Sequence, residues 1–273
     1  MVERKSFGDM IELENKWLDT GELRRILFWR LRNTFTFSFP VYNIFRCQPD
    51  SLLNKLDSHG KQRFKTLTEK YPTQNWTATC NEQDYQESLY ILDLCDQYLS
   101  KMHINGKDST NLDIGSKNWG YLPGLHSFCP TSWDGIELDA HRRYWNMVTR
   151  RGYGESMAKN FPGCRYLVGP AEELQRQYSL ITWFLPFITQ APHQAWGLPI
   201  QYFQPKFLLQ YAWNLLQEGG YLFIINQGSE EANIQQRLFK ELEIPATPLG
   251  EMKSIFSPYK KQRFGWLVNK TIG

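Results

Sequence analysis

The feature that most constrains the fold of this chain is a change in its apolar pattern near residue 105. Beyond that point, short apolar runs alternate with stretches about as long as a crossover helix. The runs are residues 111–114, 133–138, 166–168, 180–185 and 221–225. Strands that alternate with helices in this way form βαβ units around a mostly parallel sheet. Two last runs, 254–256 and 263–268, flank a turn-like segment, which predicts a closing hairpin and an antiparallel strand.

The chain before residue 105 is predicted to be helical. Leu23, Ile26, Leu27 and Leu31 recur at helical spacing, and residues 82–101 carry a second such pattern. The sequence therefore predicts an N-terminal helical extension, residues 1–105, followed by an α/β domain, residues 106–273. Aromatic residues are frequent in the extension: Trp17, Phe28, Trp29, Phe35, Phe37, Phe39, Tyr42 and Phe45.

Composition excludes several classes of protein. The formal charge of +3 is too small to indicate nucleic acid, so a nucleic-acid partner is not expected. The five cysteines form no CxxC pair and are odd in number, which argues against a metal site and against a disulfide framework. The first residues lack the apolar core of a signal peptide, and no apolar run is long enough to span a membrane. These features predict a cytoplasmic protein with no membrane partner and do not indicate an oligomeric state.

The strongest local signal is NLDIGSKNWG, residues 111–120, in which an apolar strand ends at a glycine-containing turn. In an open α/β sheet, ligands bind beyond the carboxyl ends of the strands, and glycine lets them approach the backbone. Gly115, Ser116 and Gly120 are therefore predicted to lie against a nucleoside-bearing cofactor. Asp113 would repel a pyrophosphate and suits a cationic group, such as the ammonium of an amino acid.

An acidic residue ends the second predicted strand. Glu137 follows the glycine turn by a little over twenty residues, where such folds place an acid that accepts hydrogen bonds from ribose hydroxyls. Its two oxygens can hold a diol. Alternatively, Glu137 and Asp139 cap the next helix, an interpretation that fits Asp139 better. The missing GxGxxG pattern argues against a nucleotide-dependent oxidoreductase, which remains an alternative interpretation of this site.

These segments resemble the class I S-adenosylmethionine-dependent methyltransferases. LDIGSKNWG resembles the first motif of that family, IELD its second-strand acid, residues 178–184 its fourth strand, and Gly219-Gly220 the junction before its fifth strand. The resemblance covers about residues 82–273. It implies a Rossmann-like α/β fold with a mostly parallel seven-stranded sheet that ends in an antiparallel hairpin. It also implies methyltransferase activity, S-adenosylmethionine as cofactor, and a lid formed by the helical extension.

The resemblance also implies a set of cofactor-binding residues: Asp113, Gly115, Ser116, Gly120, Glu137, Leu138, Ala171 and Trp183. Glu137 would hold the ribose and Leu138 would pack on the adenine. Two departures from the family pattern are the few glycines after Gly115 and Pro170, which stands where an acid often reads the adenine. They leave open an inactive, cofactor-binding relative with a regulatory or structural role.

Methyl transfer requires an acceptor aligned with the methyl group and protected from water. A base is needed only when the acceptor must lose a proton. Residues 183–196 follow the fourth strand and contain His193, the candidate base, because imidazole titrates near neutral pH. The alternative is an exposed loop histidine without a role. The segment lacks the Asn/Asp-Pro-Pro-Tyr/Phe run of many base and amide methylating relatives, which favours a small-molecule or oxygen acceptor.

Overall fold

A computed structural model describes residues 20–41, 47–102, 104 and 109–270 of the chain. Trp17, Tyr42 and Phe45 of the predicted aromatic extension lie outside these residues. The strands are β1 Thr110–Ile114, β2 Ser132–Glu137, β3 Arg165–Val168, β4 Tyr178–Phe184, β5 Leu216–Gln227, β6 Ala246–Met252 and β7 Arg263–Asn269. They form one sheet in the order β3-β2-β1-β4-β5-β7-β6.

Five strands of the sheet, β1 to β5, run parallel, while β7 pairs antiparallel with both β5 and β6. The predicted Rossmann-like α/β fold, with its seven-stranded, mostly parallel sheet and antiparallel end, is confirmed. The order of strands reverses direction at β1, because β2 lies on one side of it and β4 on the other. Such a reversal leaves a crevice at the carboxyl ends of the strands, where ligands bind.

Ten helices surround the sheet in the described part of the chain. They are α1 Thr20–Thr34, α2 Pro49–Leu53, α3 Ser58–Lys70, α4 Trp76–Thr79, α5 Glu82–Leu99, α6 Leu122–Phe128, α7 Arg150–Ala158, α8 Gln190–Ala195, α9 Pro205–Leu215 and α10 Gly228–Glu241. Side chains fix where several of them begin: Asn81 accepts a hydrogen bond from the Asp84 N–H at the start of α5, and Thr149 accepts one from Gly152 at the start of α7. None of the described helices is long and apolar enough to cross a membrane.

The sheet separates two apolar cores, and neighbouring residues of one strand enter opposite ones. Leu180 packs in the core that contains α5 and α6, while Ile181 packs in the core that contains α9 and α10. This alternation follows from the two-residue period of a strand. Helix α5 belongs to the first core through Leu89 and Leu92, both fully buried. The division of the chain at residue 105 stays a prediction.

The first strand of the predicted closing hairpin was placed wrongly. The prediction put it at residues 254–256, whereas the structure forms β6 at Ala246–Met252. Pro248 and Gly250 interrupt the apolar pattern of β6, and the pairing register shifts between them. An edge strand tolerates proline because one of its sides makes no ladder hydrogen bonds. The predicted strand contains the apolar residue Phe256, but this residue lies in a turn, and its side chain is buried in the core.

Candidate functional site

A cavity of about 450 Å³ opens at the carboxyl ends of β1, β2 and β4, beside the reversal of strand order. Its wall contains six of the residues that the sequence predicts for the site: Gly115, Glu137, Leu138, Ala171, Trp183 and His193. The structure thus brings together residues from four separate segments of the chain. A concave, partly apolar cavity with a few polar groups is what small ligands and cofactors require.

Gly115 leaves the backbone bare where β1 enters the cavity. Its φ of +74° is one that side chains disfavour, and a Cβ built there would meet no atom within 4 Å. The Gly115 N–H donates to the carbonyl of Ile136 at 2.9 Å, which ties the turn to β2. A ligand in the cavity can therefore approach the main chain closely at this turn.

Glu137 is 8% exposed and is held by donors on both of its oxygens. Oε2 accepts from the Lys117 N–H at 2.8 Å, and Oε1 accepts from the Asp139 N–H at 2.7 Å. The guanidinium of Arg150 lies 3.3 Å from Oε1. A carboxylate oxygen can accept two hydrogen bonds, so Oε2 has capacity for one more donor. The contact with Lys117 joins this carboxylate to the loop that follows Gly115.

Arg150 is a buried cation at this site that the sequence did not reveal. Besides Glu137, it contacts Asp139 at 3.5 Å and lies 4.7 Å above the ring of Trp196. Asp139 also pairs with Arg142 and with Arg32 of α1, the latter at 2.8 Å. The prediction that Asp139 caps the next helix is wrong, because Thr149 caps α7 and Asp139 is instead surrounded by three arginines.

Three predicted residues lie outside the cavity wall. Asp113 is fully buried beneath it and accepts hydrogen bonds from Thr182 Oγ1 at 2.7 Å and Tyr121 Oη at 2.9 Å. The Ser116 hydroxyl is buried with no partner among the described residues. Gly120 packs on α5, where an added Cβ would collide with the carboxylate of Asp84. Any effect of these three residues on a ligand passes through their neighbours.

Burial raises the pKa of Asp113 to about 7, although its hydrogen bonds with Thr182 and Tyr121 favour the ionised form. Between the unfolded value of about 3.9 and 7, the folded chain holds a proton that the unfolded chain has lost. The contribution of this carboxyl to the free energy of unfolding therefore falls as the pH rises through that range.

We expect Asp113→Asn to remove this pH-dependent loss, because the amide does not ionise. The stability of the variant relative to wild type should rise between pH 4 and pH 8 by roughly 4 kcal/mol, the free energy of a shift of about three pKa units. Urea denaturation of both proteins across that range measures the difference, in which the other titrating groups cancel. A difference that does not change with pH would contradict an elevated pKa at position 113.

His193 lies on α8 and is 1% exposed, so it is not an exposed loop residue. Its ring packs near Phe187 and Phe203, with centroids 5.7 Å and 5.4 Å away. Neither ring nitrogen has a hydrogen-bond partner in the described part of the chain. Burial lowers the pKa of the imidazole, which favours the neutral form that can accept a proton. The role of His193 as a base stays a prediction.

Helix α1 packs over the same edge of the sheet. Trp29 stacks against Tyr202 with ring centroids 4.9 Å apart, and Glu22 accepts a hydrogen bond from the Ile200 N–H at 2.8 Å. Arg32 donates to the carbonyl of Gly197 at 3.0 Å in addition to its ion pair with Asp139. These contacts attach α1 to the segments that form one wall of the cavity, as a lid would require. The lid function stays a prediction.

Comparison with known proteins yields likenesses in structure alone. No family model matches the sequence, and no curated protein matches it significantly. Similar solved structures include a methyltransferase from Pyrococcus furiosus, with 14% identity, 68% of this chain and 83% of that chain covered, and a TM-score of 0.47. A precorrin-6y C5,15-methyltransferase from Geobacter metallireducens has 8% identity, covers 67% and 88%, and has a TM-score of 0.44.

A third likeness corrects one prediction. The rRNA methylase from Streptococcus thermophilus has 10% identity, with 66% of this chain and 94% of that chain covered, and a TM-score of 0.42. The prediction that nucleic acid is not a partner is wrong, because it relied on net charge, and a protein described as acting on rRNA is among the similar structures.

Proposed function

We propose that this chain is a class I S-adenosylmethionine-dependent methyltransferase. The observation that supports it most strongly is the pairing of Gly115 and Glu137 at one open cavity. The turn at Gly115 and the carboxylate of Glu137 line the same crevice. A 2.8 Å hydrogen bond from the Lys117 N–H to Glu137 joins the loop after Gly115 to this carboxylate. A nucleoside carrying an amino-acid tail needs both features, an acid for its ribose and an exposed backbone for its tail.

In this proposal, each part of the cofactor has a partner in the cavity wall. Glu137 would accept a hydrogen bond from one ribose hydroxyl at Oε2, and Leu138, Ala171 and Pro170 would surround the adenine. Gly115 would leave room for the methionine tail beside the main chain. The adenine amino group donates to a backbone carbonyl or to Glu172, which takes the place of the acid that Pro170 replaces.

The reaction makes one bond and breaks one. S-adenosylmethionine, when bound, would supply the methyl group: an acceptor lone pair would form the new bond to the methyl carbon, and S-adenosylhomocysteine would leave with the electron pair of the broken carbon–sulfur bond. Trp183 and Phe184 line the path and exclude water. Where the acceptor atom carries a proton, His193 accepts it. Catalysis by alignment and exclusion of water needs no further covalent chemistry from the chain.

The geometry after β1 favours this function over a nucleotide-dependent oxidoreductase. Pyrophosphate-binding folds place the phosphates at the N-terminus of a helix that starts at the glycine turn. Here α6 begins only at Leu122, and the chain from Gly115 to Tyr121 is an irregular loop.

Calorimetric titration of the full chain with S-adenosylhomocysteine and with NADH tests the proposal. We expect S-adenosylhomocysteine to bind one-to-one and NADH to give no heat of binding. Binding of NADH without a response to S-adenosylhomocysteine would refute the proposal. Transfer of labelled methyl groups to candidate acceptors, RNA among them, then separates an active enzyme from an inactive relative. A cytoplasmic location is part of the proposal and rests on the sequence alone.

A further inference from the structure

The cavity has a second arm that the proposed cofactor does not use. It lies between α5, the end of β5 and the segment before β7, and we call it the α5 arm. Its polar lining consists of Glu87, Tyr90, Gln227, Glu231, Tyr259 and Arg263. Because β7 runs antiparallel to β5, its first residue lies at the same edge of the sheet as the last residue of β5. The arm therefore adjoins the proposed methyl-transfer position.

Arg263 is the only cation among these six residues and is 5% exposed. Its Nη1 donates to Gln227 Oε1 at 3.4 Å and to the carbonyls of Lys261 and Gln262 at 3.1 and 3.3 Å. The guanidinium carbon lies 4.8 Å from the ring centre of Tyr259. Within the described residues it forms no ion pair, and its Nε and Nη2 make no hydrogen bond. A buried guanidinium without a carboxylate partner is costly unless a ligand supplies one.

Tyr90 offers a second unused donor in the same arm. Its side chain is 5% exposed, and its hydroxyl lies beside the Arg263 guanidinium, which can only donate to it, so that the Tyr90 O–H has no acceptor among the described residues. The ring meets that of Tyr259 edge to face, with centroids 5.6 Å apart. Buried hydroxyls normally have a partner, so this one indicates a polar group that enters the arm.

The two carboxylates of the arm are already engaged. Glu87 Oε1 accepts from Tyr259 Oη at 2.9 Å and from Gln83 Nε2 at 3.3 Å. Glu231 Oε2 accepts from the Gln227 N–H at 2.8 Å. The protein thus gives each acid at least one donor, whereas Arg263 and Tyr90 keep donors that nothing in the described chain uses.

We propose that the α5 arm binds an oxyanion of the methyl acceptor, a carboxylate or a phosphate, through Arg263 and Tyr90. The inference rests on the proposed function, since it assumes that the acceptor enters this cavity. The planar guanidinium offers two parallel N–H donors to two oxygens, and such charge-assisted bonds are stronger than neutral ones. The Tyr90 hydroxyl supplies one further donor.

The test uses fluorine NMR titrations of the full chain with 4-fluorobenzoate and its neutral isostere 4-fluorobenzamide. We expect the benzoate to bind at least tenfold more tightly, and inorganic phosphate to compete with it if the arm accepts phosphate. Arg263→Gln should weaken benzoate binding at least tenfold, while Arg263→Lys should restore part of it. Arg237→Gln, at an exposed position of α10, is the matched control and should bind as wild type does.

Equal binding of the two probes by wild type would overturn the proposal. It would mean that the negative charges of Glu87 and Glu231 offset the positive charge of Arg263 in the arm. Unchanged benzoate affinity in a folded Arg263→Gln variant would also overturn the proposal. If that variant does not fold, Tyr90→Phe replaces it, since the ring packing remains and a loss of about threefold is expected; no loss would again contradict the site. Titrations without S-adenosylhomocysteine keep this result separate from the proposed function.

Discussion

Glu137→Gln is expected to weaken the binding of S-adenosylhomocysteine about 100-fold. In the proposed complex, Oε2 of the carboxylate accepts a hydrogen bond from a ribose hydroxyl, and a bond to a charged group contributes about 1.5–3 kcal/mol. Loss of about 3 kcal/mol corresponds to roughly a hundredfold in affinity. Glutamine also turns one N–H₂ group toward the donors that now surround Glu137, the N–H groups of Lys117 and Asp139 and the Arg150 guanidinium.

Calorimetry measures this loss, and Glu155→Gln provides the matched control. Glu155 lies on α7, its side chain is 41% exposed, and among the described residues its one ion pair is with Arg151. The control should bind S-adenosylhomocysteine as wild type does. Because Glu137→Gln leaves Arg150 partly unpaired, its melting temperature is measured in parallel, and titrations are run well below it. A folded Glu137→Gln variant with affinity within threefold of wild type would rule out Glu137 as the ribose acid.

Gly124→Ala is expected to destabilise the fold by about 3 kcal/mol or more, which is at the upper end for overpacking. Gly124 lies at the crossing of α5 and α6, and an added Cβ would overlap the Ser88 carbonyl oxygen and lie 3.1 Å from the Ser88 carbonyl carbon. These are backbone atoms, so relief requires one helix to move. Such a movement would displace fully buried side chains such as Leu89 and Leu125.

Urea denaturation compares this variant with Gly115→Ala, where a methyl group meets no atom within 4 Å but the backbone φ is +74°. The control should cost about 1–2 kcal/mol, the price of a left-handed residue. If Gly124→Ala proved no less stable than Gly115→Ala, the close approach of α5 and α6 would be incorrect.

The parallel part of the sheet could be predicted because its strands are buried on both faces. Every residue of β1 is buried, so the strand is a continuous run that ends at a glycine turn. The strand β6 could not be found in this way, because Pro248 and Gly250 interrupt it and much of it is exposed. An edge strand that packs on one side only has no sequence pattern strong enough to separate it from a loop.

The positions of Gly115 and Glu137 were predictable because Gly115 comes directly after β1 and Glu137 is the last residue of β2. Arg150 and Arg263 were not, since their significance depends on partners brought in from other elements.

The loop after Gly115 is not glycine-rich, and residues with side chains adopt its left-handed backbone conformations. Lys117 and Trp119 take positive φ values of 56° and 55°, which is costly for residues with side chains. The fully buried Trp119 ring packs on Gly135 and offsets part of that cost.

The ion pairs around Asp139 have a thermodynamic consequence. Arg32 of α1 and Arg150 contact the same carboxylate, and Arg150 in turn contacts the proposed ribose acid. If the proposed cofactor binds at Glu137, these contacts predict that its occupancy and the attachment of the first helix are linked equilibria. If cofactor binding makes the attachment of that helix more favourable by a given factor, attachment of the helix must raise the affinity for the cofactor by the same factor. Reciprocal coupling of this kind would make α1 a point at which the affinity for the proposed cofactor is tuned without a change to any residue of the cavity.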